Sequence, residues 1–190
     1  MPNESPNKPK PDHLAAWIAE EERLWGHSMA EDAPAPIDRA QLAGMSGLEV
    51  MQAMLRRELP APPIAKTLDF VVIEVAYGRA VFQGKPGYAH YNPLGSVHGG
   101  WFSTLLDSAL GCSVHTMMPP GRGYTTAGLG INIVRALTAK VQRVRAEANV
   151  IHCGRQLATA EARLVGPDGT LYAHGTTTCL VFEMPATPRS

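Results

Sequence analysis

The sequence is poor in cysteine and has no excess of charge of either sign. Its three cysteines, Cys112, Cys153 and Cys179, are odd in number and widely spaced, so they support neither a disulfide framework nor a CxxC zinc site. Seventeen basic residues balance seventeen acidic residues, so no overall field attracts nucleic acid or an anionic membrane. Runs of about 18 apolar residues and the apolar core of a secretory signal are also missing. We therefore expect a reduced, cytoplasmic protein.

The composition that remains is that of an ordinary globular chain, with 45% apolar and 18% charged residues among 190. This length suffices for one domain, or for one domain with an extension. The charge is unevenly divided, because six of the basic and ten of the acidic residues fall within residues 1–60. Residues 61–190 are therefore mildly basic, which is compatible with an anionic small ligand.

The N-terminal third predicts a helical extension rather than part of a sheet. Residues 1–11 contain four prolines and few apolar groups, so we expect a disordered leader there. A helical extension is predicted over 12–59, with Asp12 as the cap and Gly26 as the end of its first helix. A second helix is predicted over 46–58, and the prolines of LPAPPI end it.

From residue 60 onward the pattern predicts a second unit, over 60–184, followed by a loose tail at 185–190. Strand-like alternation with period two begins at Thr67, and the long helical pattern of this half covers 97–117. The predicted order is two strands, one helix and four strands. Short connections between consecutive strands favour an antiparallel α+β sheet over a parallel fold.

The predicted helix over 97–117 is apolar around most of its circumference, which is typical of a buried helix. Within HGGWFSTLLDSALGCSVHTMM, Asp107 is the only charged residue. Burying a carboxylate costs several kcal/mol unless it is paired or functional. Asp107 is therefore either a structural residue held by hydroxyls and amides, or a functional one, and this pattern alone favours neither.

The residues before this helix add a second signal. His98 is followed by Gly99 and Gly100, and two glycines at a helix N-terminus leave backbone N–H groups uncovered. Such groups can bind an anion or stabilise a developing oxyanion. By itself, HGG is more often a cap chosen for close helix packing. Together with a single aspartate further along the same helix, it indicates a site.

The joint pattern NPLGSVHGGWFSTLLDSALG resembles the signature of PaaI-like, hotdog-fold acyl-CoA thioesterases, in which an aspartate follows the histidine of HGG by nine residues. The matching residues are Asn92, Gly95, His98, Gly99, Gly100 and Asp107. Later segments resemble the family through Thr126, Leu129, Asn132, Arg135, Gly154 and Arg155. The resemblance covers roughly residues 60–183. Departures occur at Gly128, where the family has an acidic or polar residue, and at Ala136 and Leu137, which replace a common proline.

This resemblance implies a hotdog fold, in which a curved antiparallel β-sheet wraps around one long central α-helix. It also implies a homo-oligomer, either a dimer or a tetramer of two dimers, with active sites at the dimer interface. The expected substrate is an acyl-CoA thioester, and hydrolysis of this bond requires no metal or redox cofactor.

The resemblance also implies roles for individual residues. Asp107 is expected to act as nucleophile or general base, and the Gly100 N–H to polarise the thioester carbonyl. Asn92 is expected to position water or the carbonyl, Thr126 to hydrogen-bond Asp107 or the water, and His98 to order the loop. The residues expected to contact coenzyme A are Gly99, Gly154 and four candidate arginines, namely Arg135, Arg143, Arg145 and Arg155.

Two other functions stay open on the sequence. A non-hydrolytic acyl-CoA-binding or regulatory protein would keep the fold but would normally lose the carboxylate. A hydratase or dehydratase would need a histidine paired with an acid for proton transfer at carbon, and HGG followed by an aspartate does not resemble that arrangement.

Overall fold

The computed structural model of the protein describes residues 13–26, 37, 42 and 44–184. The predicted leader, the predicted cap Asp12 and the predicted tail lie outside the described residues. Within the described part of the chain, no helix is long and apolar enough to span a membrane. The cytoplasmic location stays a prediction.

The described chain forms four α-helices and one six-stranded sheet. The helices are α1 (Leu14–Trp25), α2 (Gly47–Leu55), α3 (Pro63–Thr67) and α4 (Gly99–His115). The strands are β1 (Phe70–Ala76), β2 (Arg79–Gly84), β3 (Arg122–Ile133), β4 (Val144–Cys153), β5 (Leu157–Val165) and β6 (Leu171–Glu183). All strand pairs are antiparallel, in the order β1-β2-β4-β5-β6-β3, and α4 packs on the sheet. The predicted α+β architecture is confirmed.

Element boundaries differ from the prediction between residues 55 and 70. Helix α2 begins at a capping box formed by Ser46 and Glu49, and it ends at Leu55 rather than at residue 58. Arg57, at φ 63°, takes the left-handed conformation that ends the helix. The short helix α3 then occupies residues expected to precede or begin a strand. Pro63 starts it, because proline fits the first helical position, where no N–H partner is required.

Helix α4 lies close to the sheet because large side chains on the helix meet small ones on the strands. The large buried residues of α4 are Trp101, Phe102, Leu105, Leu106, Leu110 and Val114. The strand residues on the facing side include seven alanines, namely Ala80, Ala146, Ala148, Ala158, Ala160, Ala162 and Ala173. At Gly84 a Cβ atom would stand 2.7 Å from Leu105 and 2.8 Å from Trp101, so this position accepts no side chain. The sheet thus provides a groove of small residues for one bulky helix.

Helix α1 covers the opposite face of the sheet. Since Gly84 faces α4, its neighbour Gln83 points away from α4. The Gln83 side chain is only 1% exposed, and its amide donates to the Trp17 carbonyl and to Glu21 Oε2 at 3.0 and 2.6 Å. Trp25 Nε1 donates to the carbonyl of Val72, in the edge strand β1, at 2.7 Å. Helix α1 therefore covers β2 on its outer face and satisfies a carbonyl of β1.

Two arginines, Arg145 in β4 and Arg143 directly before β4, bind α1. Arg143 makes two hydrogen bonds to the Glu21 carboxylate, at 2.7 and 2.9 Å. Arg145 pairs with Glu20 at 2.6 Å, and its guanidinium lies 4.3 Å from the centre of the Trp17 ring. These contacts correct the expectation that Arg143 and Arg145 are available for coenzyme A phosphates, because both charges are already paired within the chain.

We predict that Glu21→Ala lowers the free energy of unfolding by about 2 kcal/mol, because it leaves the largely buried Arg143 and the buried Gln83 each short of an acceptor. Glu22→Ala, an exposed neighbour on the same helix, is the matched control and is expected to change stability by less than about 0.5 kcal/mol. Urea denaturation measures both variants. Equal losses in the two would contradict the assigned role of the Glu21 contacts.

Candidate active site

Asp107 lies in the middle of α4, on the one stripe of the helix that is not covered by apolar residues. The side chain is partly exposed, and one carboxylate oxygen, Oδ1, accepts a hydrogen bond of 3.1 Å from Thr126 Oγ1 in β3. Other hydroxyls of this stripe are engaged within the helix itself, since Ser103, Thr104 and Ser108 donate to carbonyls one turn earlier. The carboxylate is thus held from one side by Thr126.

The groups around Asp107 stay neutral at physiological pH. Burial, with a smaller contribution from the Asp107 charge, raises the pKa of Cys112 to about 12. Burial likewise raises the pKa of Cys179 and Tyr124. Tyr124 packs against α4 at Gly111, where a Cβ would stand 2.9 Å from its hydroxyl oxygen. Neither thiol is therefore an activated nucleophile, and the carboxylate is the group suited to act as a base or nucleophile.

The N-terminus of α4 is capped by a side chain, which changes the expectation for Gly100. His98 Nδ1 accepts a hydrogen bond of 2.9 Å from the Gly100 N–H, so that donor is occupied. The Trp101 N–H bonds the His98 carbonyl at 3.0 Å. Within the described residues no hydrogen-bond acceptor meets the Gly99 N–H, at the first helical position. The structure thus favours Gly99 over Gly100 as the amide that can meet a ligand, and it shows His98 ordering the helix start.

Asn92 holds the loop that leads into α4. Its Oδ1 accepts from the backbone N–H groups of Leu94 and Ser96 at 2.9 and 3.3 Å, and its Nδ2 donates to Ser96 Oγ at 3.1 Å. The amide nitrogen carries two N–H groups and this contact uses one. Asn92 therefore has a structural role in the loop and keeps one donor for a ligand.

The predicted contacts of coenzyme A fall into two separate cavities. Asn92, Gly99 and Arg135 line an open cleft of about 350 Å³ at the N-terminus of α4. Gly154 and Arg155 line another cleft of about 250 Å³, beside Met117 and Met118. Because α4 has 17 residues, these clefts lie about 25 Å apart along it. One chain therefore brings Arg135, but not Arg155, to the HGG turn.

Sequence reasoning missed two neighbours of the carboxylate. Tyr124 shares a strand face with Thr126, and alternation could have placed it beside α4. Cys179 lies opposite Thr126 in β6, a pairing for which the sequence carries no signal. Among the described residues, no group of three or more His, Cys, Asp and Glu side chains is arranged to hold a metal ion.

Comparison with known proteins finds thioesterases among the proteins to which this chain is similar. The thioesterase superfamily model matches residues 94–173, which include the HGG turn, Asp107 and Thr126. Acyl-coenzyme A thioesterase 13 of Mus musculus is 29% identical over 130 residues, which cover 67% of this chain and 88% of the mouse protein.

Two solved structures show the same relationship. A phenylacetic acid degradation-related protein of Ralstonia eutropha is 30% identical, with a TM-score of 0.62 over 68% of this chain and 97% of that one. A mutant of the phenylacetic acid degradation protein PaaI of Thermus thermophilus is 29% identical, with a TM-score of 0.57 over 62% and 97%. The chain belongs to the thioesterase superfamily, a family of thioester hydrolases, and within it to the PaaI-like proteins of hotdog fold.

Proposed function

We propose that this protein hydrolyses acyl-CoA thioesters to the free acid and coenzyme A, with Asp107 as the nucleophile or general base. The observation that carries the proposal is the carboxylate itself. It is the one carboxylate on a mostly apolar helix, it is partly exposed, and its Oδ1 accepts a hydrogen bond from the Thr126 hydroxyl. Acyl-coenzyme A thioesterase 13 of the mouse, to which the chain is similar, supports coenzyme A as the carrier.

The reaction needs an activated oxygen and a donor for the oxyanion. As a base, Asp107 takes a proton from water while the water oxygen attacks the thioester carbon. As a nucleophile, a carboxylate oxygen attacks the thioester carbon, loss of the thiolate leaves a mixed anhydride, and water then hydrolyses this anhydride. In both cases the Gly99 N–H, at the positive end of the α4 dipole, stabilises the tetrahedral oxyanion. The carbon–sulfur bond then breaks. The thiolate leaves with little help from an acid, because a thiol is a much stronger acid than water or an alcohol.

Gly99 and Asp107 cannot serve the same carbonyl within one chain. They are eight residues apart on one helix, which places them about 12 Å apart. A second copy solves this problem, because β3 is an edge strand with exposed apolar side chains at Leu129 and Ile133, and exposed Val134 follows it directly. We place the active site between two copies that pair through β3.

The contacts of β3 indicate how the copies meet. Thr126 lies beside Asp107, and Ile133 Cδ1 lies 3.3 Å from the Cβ position of Gly99. In an antiparallel pair of β3 strands with the two-fold axis near Leu129 and Gly130, Thr126 lies opposite Ile133 of the second copy. Asp107 of each copy then faces Gly99 of the other. A tetramer of two such dimers stays a prediction.

The open cleft at the N-terminus of α4 is the proposed site for coenzyme A. Arg135 lines it together with Gly99 and Asn92, and a guanidinium suits a phosphate or pyrophosphate group. The other expected contacts, Gly154 and Arg155, lie at the far end of α4. We therefore propose Arg135 as the first phosphate contact and keep Gly154 and Arg155 as secondary candidates.

A hydratase is less well supported than a hydrolase. The hydrogen-bond partner of the Asp107 carboxylate is a threonine hydroxyl and not the imidazole that proton transfer at carbon would use. A non-hydrolytic acyl-CoA-binding protein stays the second candidate. A panel of aryl, medium-chain and long-chain acyl-CoAs with a thiol-reactive dye separates these functions, because hydrolysis alone releases free thiol.

We predict that Asp107→Asn lowers kcat by about 10² to 10⁴-fold while the protein stays folded, because the amide keeps the size and most hydrogen bonds but loses basicity. Thr126→Ala is expected to lower kcat about tenfold, since the Thr126 hydroxyl orients the Asp107 carboxylate. Glu161→Gln, on the exposed outer face of β5, is the control for a lost carboxylate. Near-normal kcat in folded Asp107→Asn protein would make Asp107 a structural residue.

We also predict that Gly99→Pro removes most activity while preserving the fold. Proline lacks the proposed oxyanion donor but suits the first position of a helix, and His98 already has the extended backbone (φ −64°, ψ 141°) that precedes proline. The expected loss of kcat is about 10²-fold or more. Gly99→Ala keeps the N–H and is the matched control, although its Cβ contacts Ile133. Equal kcat values in the two variants would assign the donor elsewhere.

The shared site predicts recovery of activity when two inactive variants are mixed. A dimer of one Asp107→Asn chain and one Gly99→Pro chain has one site with both groups intact. Co-expression is therefore expected to restore up to about a quarter of the parent activity, because half of randomly formed dimers are mixed. Light scattering should give at least twice the chain mass. A monomer with full activity, or mixed dimers without recovery, would contradict the shared site.

A further inference from the structure

Strand β3 contains a bulge next to the residue that holds Asp107. Its pairing with β6 shifts between Thr126, which lies opposite Cys179, and Gly128, which lies opposite Thr178. Ala127 is therefore an extra residue that has no counterpart in β6. Bulges are frequent beside active sites, where they redirect side chains.

This bulge is required by the contacts of β3 with α4. Tyr124 packs on Gly111, and Ile133 packs on Gly99, so both side chains face α4. The two residues are nine positions apart, and in an unbroken strand an odd spacing puts side chains on opposite faces. Because Ala127 is one extra residue, the side chains of Tyr124 and Ile133 lie on the same face of β3. Without it, either the Tyr124 and Thr126 side or the Ile133 side of the strand would turn away from α4.

One buried side chain makes a hydrogen bond to the backbone beside the bulge. The Thr177 hydroxyl, in β6, donates to the carbonyl of Gly128 at 3.0 Å, directly after the extra residue. Thr177 is 3% exposed, and its oxygen lies 3.8 Å from the Cys179 sulfur. Cys179, which is fully buried, in turn lies directly opposite Thr126 in the pairing of β6 with β3. Thr177 thus contacts the part of β3 after the bulge directly. It reaches the part of β3 before the bulge through Cys179.

We propose that Thr177 is a positioning residue, which fixes the Ala127 bulge so that the Thr126 hydroxyl stays on the Asp107 carboxylate. Thr177 does not touch the substrate, and it acts through the backbone of β3. The consequence for activity rests on the proposed function of Asp107, whereas the consequence for the backbone of β3 does not.

The test compares Thr177→Val, which removes the hydroxyl at nearly constant shape, with Thr177→Ser, which keeps it. Thr177→Val is expected to lower kcat about fivefold with KM within twofold, and Thr177→Ser to stay within twofold of the parent. In a Thr126→Val background, Thr177→Val should change kcat by less than twofold, because the bond that it positions is already gone. An equal loss of kcat in both backgrounds would overturn the proposal.

Two controls separate positioning from loss of stability. Thr176→Val is the same change one residue away, on the exposed face of β6, and is expected to leave kcat unchanged. Thr116→Val removes another buried hydroxyl, which bonds Gly78 and Ser113, at the far end of α4. It should lower the melting temperature without changing kcat at a temperature where the protein is folded. If Thr116→Val lowers kcat as much as Thr177→Val, the effect is one of stability and the proposal fails.

Amide hydrogen exchange provides a readout that needs no activity. Residues 122–133 should exchange several-fold faster in Thr177→Val than in the parent, while Thr177→Ser and Thr176→Val should match the parent. Unchanged exchange would overturn the proposal even if kcat falls. If the parent hydrolyses no acyl-CoA, the proposed function fails, and the exchange of this segment still decides whether Thr177 fixes the bulge.

Discussion

The structure depends on burying α4, a helix with large apolar side chains on nearly every side. A flat surface could cover only one side of such a helix, so the chain surrounds it with five strand pairings and lines the groove with alanine and glycine. These small residues let the backbone of the sheet approach the helix, and Leu105, Leu106 and Leu110 become fully buried. Only the stripe with Gly99, Asp107 and Gly111 is left without large apolar side chains, and it faces β3.

This arrangement explains why the chemical groups lie where they do. A polar group on α4 is tolerated only on the side toward the edge strand, where it can reach a partner or solvent. Thr126 provides the partner for Asp107, and the start of the helix provides a free amide at Gly99. The two groups are separated by about two turns of one helix, so the same constraint that places them on one stripe also keeps them apart. A site that uses both must include a second copy of the stripe.

The sequence predicts the element order and the helix of the site well, because these depend on local periodicity. The long apolar pattern and HGG locate α4 to within two residues at each end. Contacts between distant segments have no such local signal. Arg143 and Arg145 look like free cations in strands, but Glu20 and Glu21, more than 120 residues earlier, bind them. The cap that His98 places on the Gly100 N–H likewise depends on side-chain rotation, so the resemblance, which implied Gly100 as the donor, carried no sign that this N–H is occupied. Helix α3 was missed because a proline-rich segment usually ends a helix and seldom starts one.

The N-terminal helix lies on the side of the sheet away from the chemistry. Both solved PaaI-like structures match nearly their whole length to about two thirds of this chain, so roughly a third of the chain has no counterpart in them. Helix α1 rests on the outer face of β2 and beside the edge strand β1, whereas Asp107 faces the opposite edge strand, β3. Its position leaves β3 open for pairing, and its Trp25 Nε1 satisfies one backbone carbonyl of β1, that of Val72. Among the described residues, the edge strand that lies away from this helix is therefore β3, which carries Thr126, the hydrogen-bond partner of Asp107.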